Sequence, residues 1–131
     1  LLTLAIDKEH LRLDLRNELA IAYIKQQKFL KAQEQVDFVL NEFPKNETAI
    51  NTKGFLYLVN GDFTMAKQMF DKALALNPDF EDALLNRAKV ELASNNFEAA
   101  DIWLLRLLKV NSNSADGLLL RKQLLLELNK G

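Results

Sequence analysis

A step of 34 residues constrains this chain more than any other feature. Phe29, Phe63 and Phe97 are separated by it, as are Ala32, Ala66 and Ala100, and Leu40, Leu74 and Leu108. Ala20, Gly54 and Ala88 keep a small side chain at the same step. Pro44 recurs as Pro78, with Ser112 next in phase, and Tyr23 recurs as Tyr57 before giving way to Glu91. Agreement at this many positions, small residues and a proline among them, means tandem copies of one supersecondary unit. The units are 13–46, 47–80 and 81–114, with a partial unit over 115–131. Together with residues 1–12 they make one domain, 1–131.

Within a unit the apolar period is helical. In the first, Leu15, Leu19, Ala22 and Tyr23 are expected to share a face, with Ala20 beside them. A turn follows at Gln26-Gln27-Lys28. A second helix is expected from Phe29 to Glu42, with Ala32, Val36, Val39 and Leu40 facing in. Pro44 ends it, because proline cannot continue the hydrogen-bond ladder. In the middle unit Gly61 suits a left-handed helix end and Asp62 an N-cap. Ser94-Asn95-Asn96 is expected to do the same job in the third. Ser114 is positioned to cap the last helix, with Asp116 in its first turn.

The two ends read differently. Residues 1–12 fit the end of a preceding second helix, with Leu2, Ala5 and Ile6 in phase with Val36, Val39 and Leu40. His10 would then sit in a solvated connection. Residues 115–131 carry Leu118, Leu119, Leu120, Leu124, Leu125, Leu126 and Leu128, which point almost all round a helix. Lys122 occupies the slot held by Ala20, Gly54 and Ala88, so no second helix is expected to follow. This terminal helix should cover the end of the stack. Its leucines, with Trp103 and Leu105, either pack within the chain or form a patch for self-association, such as a homodimer.

Composition narrows the function. The 131 residues are 49% hydrophobic and 27% charged, with a formal net charge of −1. That is an ordinary globular balance, without the basic surface that nucleic acid or anionic lipid requires. No apolar run approaches the ~20 residues of a membrane span. There is no cysteine and only one histidine, which leaves no thiol nucleophile, no Cys-rich zinc site and no Ser-His pair. The four glycines are isolated, so there is no phosphate loop. Glu81-Asp82 sit where a helix start favours acids. No catalytic residue, metal site or cofactor is expected, and the chain reads as a non-enzyme. It opens on Leu1-Leu2-Thr3-Leu4-Ala5-Ile6, without an initiator methionine or a basic signal-peptide region, and reads as an excised or processed piece. Of the compartments open to a soluble chain, the cytoplasm is favoured over the periplasm.

The middle unit resembles the tetratricopeptide repeat family. Ile50-x2-Lys53-Gly54-x2-Tyr57, Ala66-x3-Phe70, Ala73 and Pro78 follow the family pattern, with Lys53 in place of its leucine. The first unit supplies Leu19-Ala20-x2-Tyr23, Ala32-x3-Val36 and Pro44. The third supplies Leu84-x2-Arg87-Ala88, Ala100-x3-Leu104 and Leu107, without tyrosine or proline. The resemblance implies an all-α, right-handed solenoid of antiparallel helix pairs, with a concave groove lined by the first helix of each unit. By phase, the groove positions are Asp14, Asn17, Ile21 and Ile24; Thr48, Asn51, Phe55 and Leu58; Asp82, Leu85, Lys89 and Leu92; and Leu119 and Gln123. Of these, Asn17, Ile21, Ile24, Asn51, Phe55, Leu58, Leu85, Lys89, Leu92 and Leu119 are the candidate partner-binding residues. Ile21, Phe55, Leu58, Leu85 and Leu92 would form an apolar stripe suited to an amphipathic helix or extended peptide.

One branch of the family binds the acidic C-terminus of chaperones through a clamp of lysines, asparagines and an arginine. Those positions fall on Asn17, Ile21, Thr52, Asp82 and Asn86 here, so the clamp is not expected. A related repeat that reads RNA bases has a longer period and a basic groove, neither of which this chain has. The expected function is a non-catalytic scaffold that binds a peptide or helix of a protein partner. The alternative is a structural or homo-oligomerisation segment of a larger repeat protein.

Overall fold

A computed structural model describes residues 2–130, with side chains from Lys8 onward except that of His10. Among the described residues there are seven α-helices and no strand. They are α1 (Leu2–Lys25), α2 (Phe29–Glu42), α3 (Glu47–Val59), α4 (Phe63–Leu76), α5 (Glu81–Ala93), α6 (Phe97–Val110) and α7 (Ala115–Leu128). Helices pair as α1 with α2, α3 with α4 and α5 with α6. The odd-numbered helices also approach one another closely along the stack, whereas the even-numbered ones stand further apart. The odd helices therefore form a continuous wall.

The turn within each pair is the same device used three times. Gln27, Gly61 and Asn95, 34 residues apart, have φ of 61°, 80° and 62°. In each turn the next N–H closes back onto the carbonyl of Tyr23, Tyr57 or Glu91, at 2.8, 2.9 and 2.8 Å. This left-handed C-terminal closure satisfies the end carbonyls of the first helix. Only Gly61 adopts the left-handed region without a Cβ penalty. Asp62 and Ser114 cap α4 and α7 through the N–H groups of Met65 and Gly117, as expected. Asn96 does not cap α6; its amide instead donates to Glu91 at 2.9 Å. Asn46, not foreseen as a cap, accepts from Ala49 N–H at 3.0 Å and starts α3.

The small slot lies at each crossing. Ala20 shares a core cluster with Val36. Ala88 shares one with Leu104. Gly54 faces the fully buried Phe70, where an added Cβ would lie 2.6 Å from a ring carbon. Small and large side chains thus compensate from unit to unit, and packing stays dense.

The N-terminal end departs from the expectations. The helix runs unbroken through His10, with no connection there: residues 2–25 contain no glycine or proline, and Glu9 pairs with Arg12 one turn on at 3.5 Å. The side chains of Leu2, Ala5, Ile6 and His10 lie outside the described residues. Of the expected face, Leu15, Leu19 and Ala22 are exposed and Tyr23 is half-buried, while Asn17 and Ala20 are buried. Leu15 is in phase with Ala49 and Ala83, both fully buried in clusters with the preceding pair. In the first unit no described helix covers that side. Of Trp103 and Leu105, Leu105 is exposed and Trp103 packs within the chain. It packs against two core clusters, with Arg87 and Arg106 at 4.9 and 4.7 Å from its ring.

Candidate partner-binding groove

The wall of α1, α3 and α5 encloses an open cavity of about 280 Å³. Ile21, Ile24, Phe55 and Leu85 supply its apolar surface. Asn51, Thr52 and Asn86 give it a polar side, and Asp82, Lys25 and Lys89 supply charge. Its floor is built by a buried hydrogen bond: the Asn86 amide donates to Asn51 Oδ1 at 3.1 Å, tying α5 to α3. Buried amides are retained where they are paired. Thr52 turns its hydroxyl onto its own helix, donating to the Thr48 carbonyl at 2.9 Å.

Six of the ten candidate residues meet here: Ile21, Ile24, Asn51, Phe55, Leu85 and Lys89. Four do not. Asn17 is buried, donating through its amide to Asn46 Oδ1 at 3.3 Å. Leu58 packs on the cluster of Phe70 and Val90, and Leu92 on that of Ala88, Leu104 and Leu124. Each sits in the last turn of its helix, where the first helix of the next unit covers it. The expected stripe therefore stops short of Leu58 and Leu92. Leu119 lies outside the cavity, on α7, and is exposed. Thr52, Asn86 and Lys25 were missed as groove-lining residues. Thr52 and Asn86 are one position on from the groove phase, and two polar residues in phase at an otherwise core-facing slot were the available signal.

The groove's charges are separated along it. Asp82 stands in the first turn of α5, and Lys89 lies seven residues on, about 10 Å along the axis. Lys25 ends α1. Partial burial pushes the Asp82 carboxyl above its ordinary value, with Glu81 and Asp116 adding to the rise and Lys89 opposing it. Neither a hydrogen bond nor an ion pair from Asp82 is found among the described residues. Four of the five positions that the clamp resemblance implied, Ile21, Thr52, Asp82 and Asn86, line this one cavity without a cation among them.

A larger cavity, about 560 Å³, lies at the end of the stack between Leu13, Asp14 and residues 42–46. In the later units an asparagine bridges the equivalent place, Asn77 to Glu47 and Asn111 to Glu81. Here Phe43 and Leu13 stand at those positions. The space thus follows from a missing polar bridge, not from convergent polar groups.

A family model for the tetratricopeptide repeat matches residues 57–124, just over half of the chain. With the helix pairs and their 34-residue step, this places the chain in the tetratricopeptide repeat family. No curated protein matches the sequence. Among solved structures it is similar to the first such domain of human RPAP3, with a TM-score of 0.80 at 20% identity, covering 90% of this chain and 93% of that one. The first such domain of Spaghetti (RPAP3), bound to the HSP90 peptide SRMEEVD, aligns with a TM-score of 0.77 at 20% identity, over 89% and 93%. The Sgt2 domain of Aspergillus fumigatus gives 0.75 at 18% identity, over 92% and 83%. At these identities the likeness concerns the fold. Among the described residues no helix is long and apolar enough to cross a membrane.

Proposed function

We propose that this chain is a non-catalytic protein-interaction scaffold that receives an extended peptide segment in the groove of α1, α3 and α5. The carrying observation is that cavity: four apolar side chains from three helices converge beside a hydrogen-bonded amide floor. Related folds hold peptides, as the domain bound to SRMEEVD does. The test uses a peptide selected against the protein from a displayed random library, with binding measured by calorimetry. Phe55→Ala removes the largest apolar wall and should weaken binding at least tenfold. It should cost about 1–3 kcal/mol of stability, since Phe55 is half-buried. Ile21→Glu, at a more exposed position, checks the same surface with less risk to folding. Unchanged binding in both variants sinks the groove reading.

A second reading, self-assembly, rests on α7. Leu118 and Leu119 are 50% and 57% exposed, and Leu125, Leu126 and Leu128 are exposed as well. Sedimentation velocity separates the readings: a monomer at every concentration tested removes the second.

A further inference from the structure

The groove is charged at its two mouths with opposite signs, and this defines a ligand more closely than its apolar centre does. At one mouth Asp82 stands without an ion-pair partner among the described residues, with Glu81 and Asp116 adding negative potential. At the other stand Lys25 and Lys89, neither in an ion pair among the described residues; the Lys89 ammonium lies 6.0 Å from the centre of the Phe55 ring. Leu85 lies between in register, with Ile21 and Phe55 level with Lys89 by the 34-residue phase. The mouths are about 10 Å apart along α5, the span of about three residues of extended chain.

From this juxtaposition we propose that the groove selects a peptide segment with a basic side chain and a carboxylate about three residues apart, flanking a large aliphatic residue. The basic group would pair with Asp82 and the carboxylate with Lys25 and Lys89. Opposed charge at each end fixes the ligand's orientation and rejects segments of a single sign. In particular, a segment with acids at both ends would set a carboxylate against Asp82. The inference rests on the groove reading and deepens it.

The same displayed random library provides the test, panned in parallel on the wild type and on Asp82→Lys. Wild-type selections should be enriched in the basic–aliphatic–acidic pattern. A synthetic peptide of that pattern should lose at least tenfold in affinity on Asp82→Lys, while an all-acidic counterpart should gain. Lys89→Glu should weaken the patterned peptide without removing the apolar contact. Selected peptides that depend on Phe55 but carry no basic enrichment, or that bind Asp82→Lys equally well, overturn the charge assignment and leave the groove reading standing. Selections insensitive to both Phe55→Ala and Ile21→Glu overturn the groove reading, and this inference with it.

Discussion

At the residue scale, one slot shows how the repeat tolerates variation. Gly54 exists because Phe70 lies across from it, and Ala20 and Ala88 suffice because Val36 and Leu104 are shorter. Gly54→Ala should destabilise the domain by about 1–3 kcal/mol through overpacking, despite alanine's higher helix propensity. Combining it with Phe70→Leu should recover part of that loss, since the pair would then match the third unit. A double-mutant cycle by denaturant unfolding reads the coupling; strict additivity would contradict the compensation.

At the element scale, neighbouring units are held by polar as well as apolar contacts. Lys53, which departs from the family's leucine, pairs with Asp37 at 3.6 Å, and Arg87, in phase with it, binds Asp71 at 2.8 Å. Arg121 reaches Asp101 at 2.9 Å. Each pair bridges successive units. Glu91, standing where tyrosine stood twice, is buried and receives Arg87, Lys67 at 3.2 Å and Asn96 at 2.9 Å. Burial alone would raise its carboxyl, but hydrogen bonds from Arg87, Asn96 and Lys67 outweigh that and hold it below its ordinary value. A depressed acid contributes stability above its unfolded value and loses it as the pH falls through the folded one. Acid unfolding should therefore draw partly on Glu91. Glu91→Gln should lower stability at neutral pH by about 3 kcal/mol and flatten the acid-side loss measured by thermal melts; an unchanged acid limb would remove Glu91 from that role.

These cases mark how much the chain discloses in advance. The helix pairs, the Gly61 turn, the Asp62 cap and the crossing slot follow from local propensity and a 34-residue period, so each was readable. The partner of Lys53 and the burial of Glu91 depend on which side chain the preceding unit offers, and periodicity does not encode that. Six of the ten candidate residues meet in the cavity of α1, α3 and α5 because they keep the same helical phase in successive units. Leu58 and Leu92, in the same phase, pack on core clusters instead, because their covering comes from the next unit, which a single unit's pattern does not show. Leu15 and Leu19 are exposed for the converse reason: no described helix packs on that side of α1.

At the scale of the whole molecule, the stack presents one organised inner wall and two apolar ends. The middle unit is covered on both sides, and its first helix supplies Asn51, Thr52 and Phe55 to the centre of the groove. The end helices keep leucines exposed, Leu11 and Leu15 at one end and Leu118 and Leu119 at the other. In phase, Leu118 matches Ile50 and Leu84, each 1% exposed beneath a second helix. Lys122, at the crossing slot, lies in the open on the same helix. Such an end face offers apolar area without converging polar groups.

The central claim is that partners are read by the inner wall. An amide-shift titration of the isotope-labelled protein with the library-selected peptide tests it most directly. The groove account predicts that the largest changes trace Ile21 and Lys25 on α1, Asn51 to Phe55 on α3, and Asp82 to Lys89 on α5. Changes confined to α7, or to the outer helices α2, α4 and α6, would contradict it.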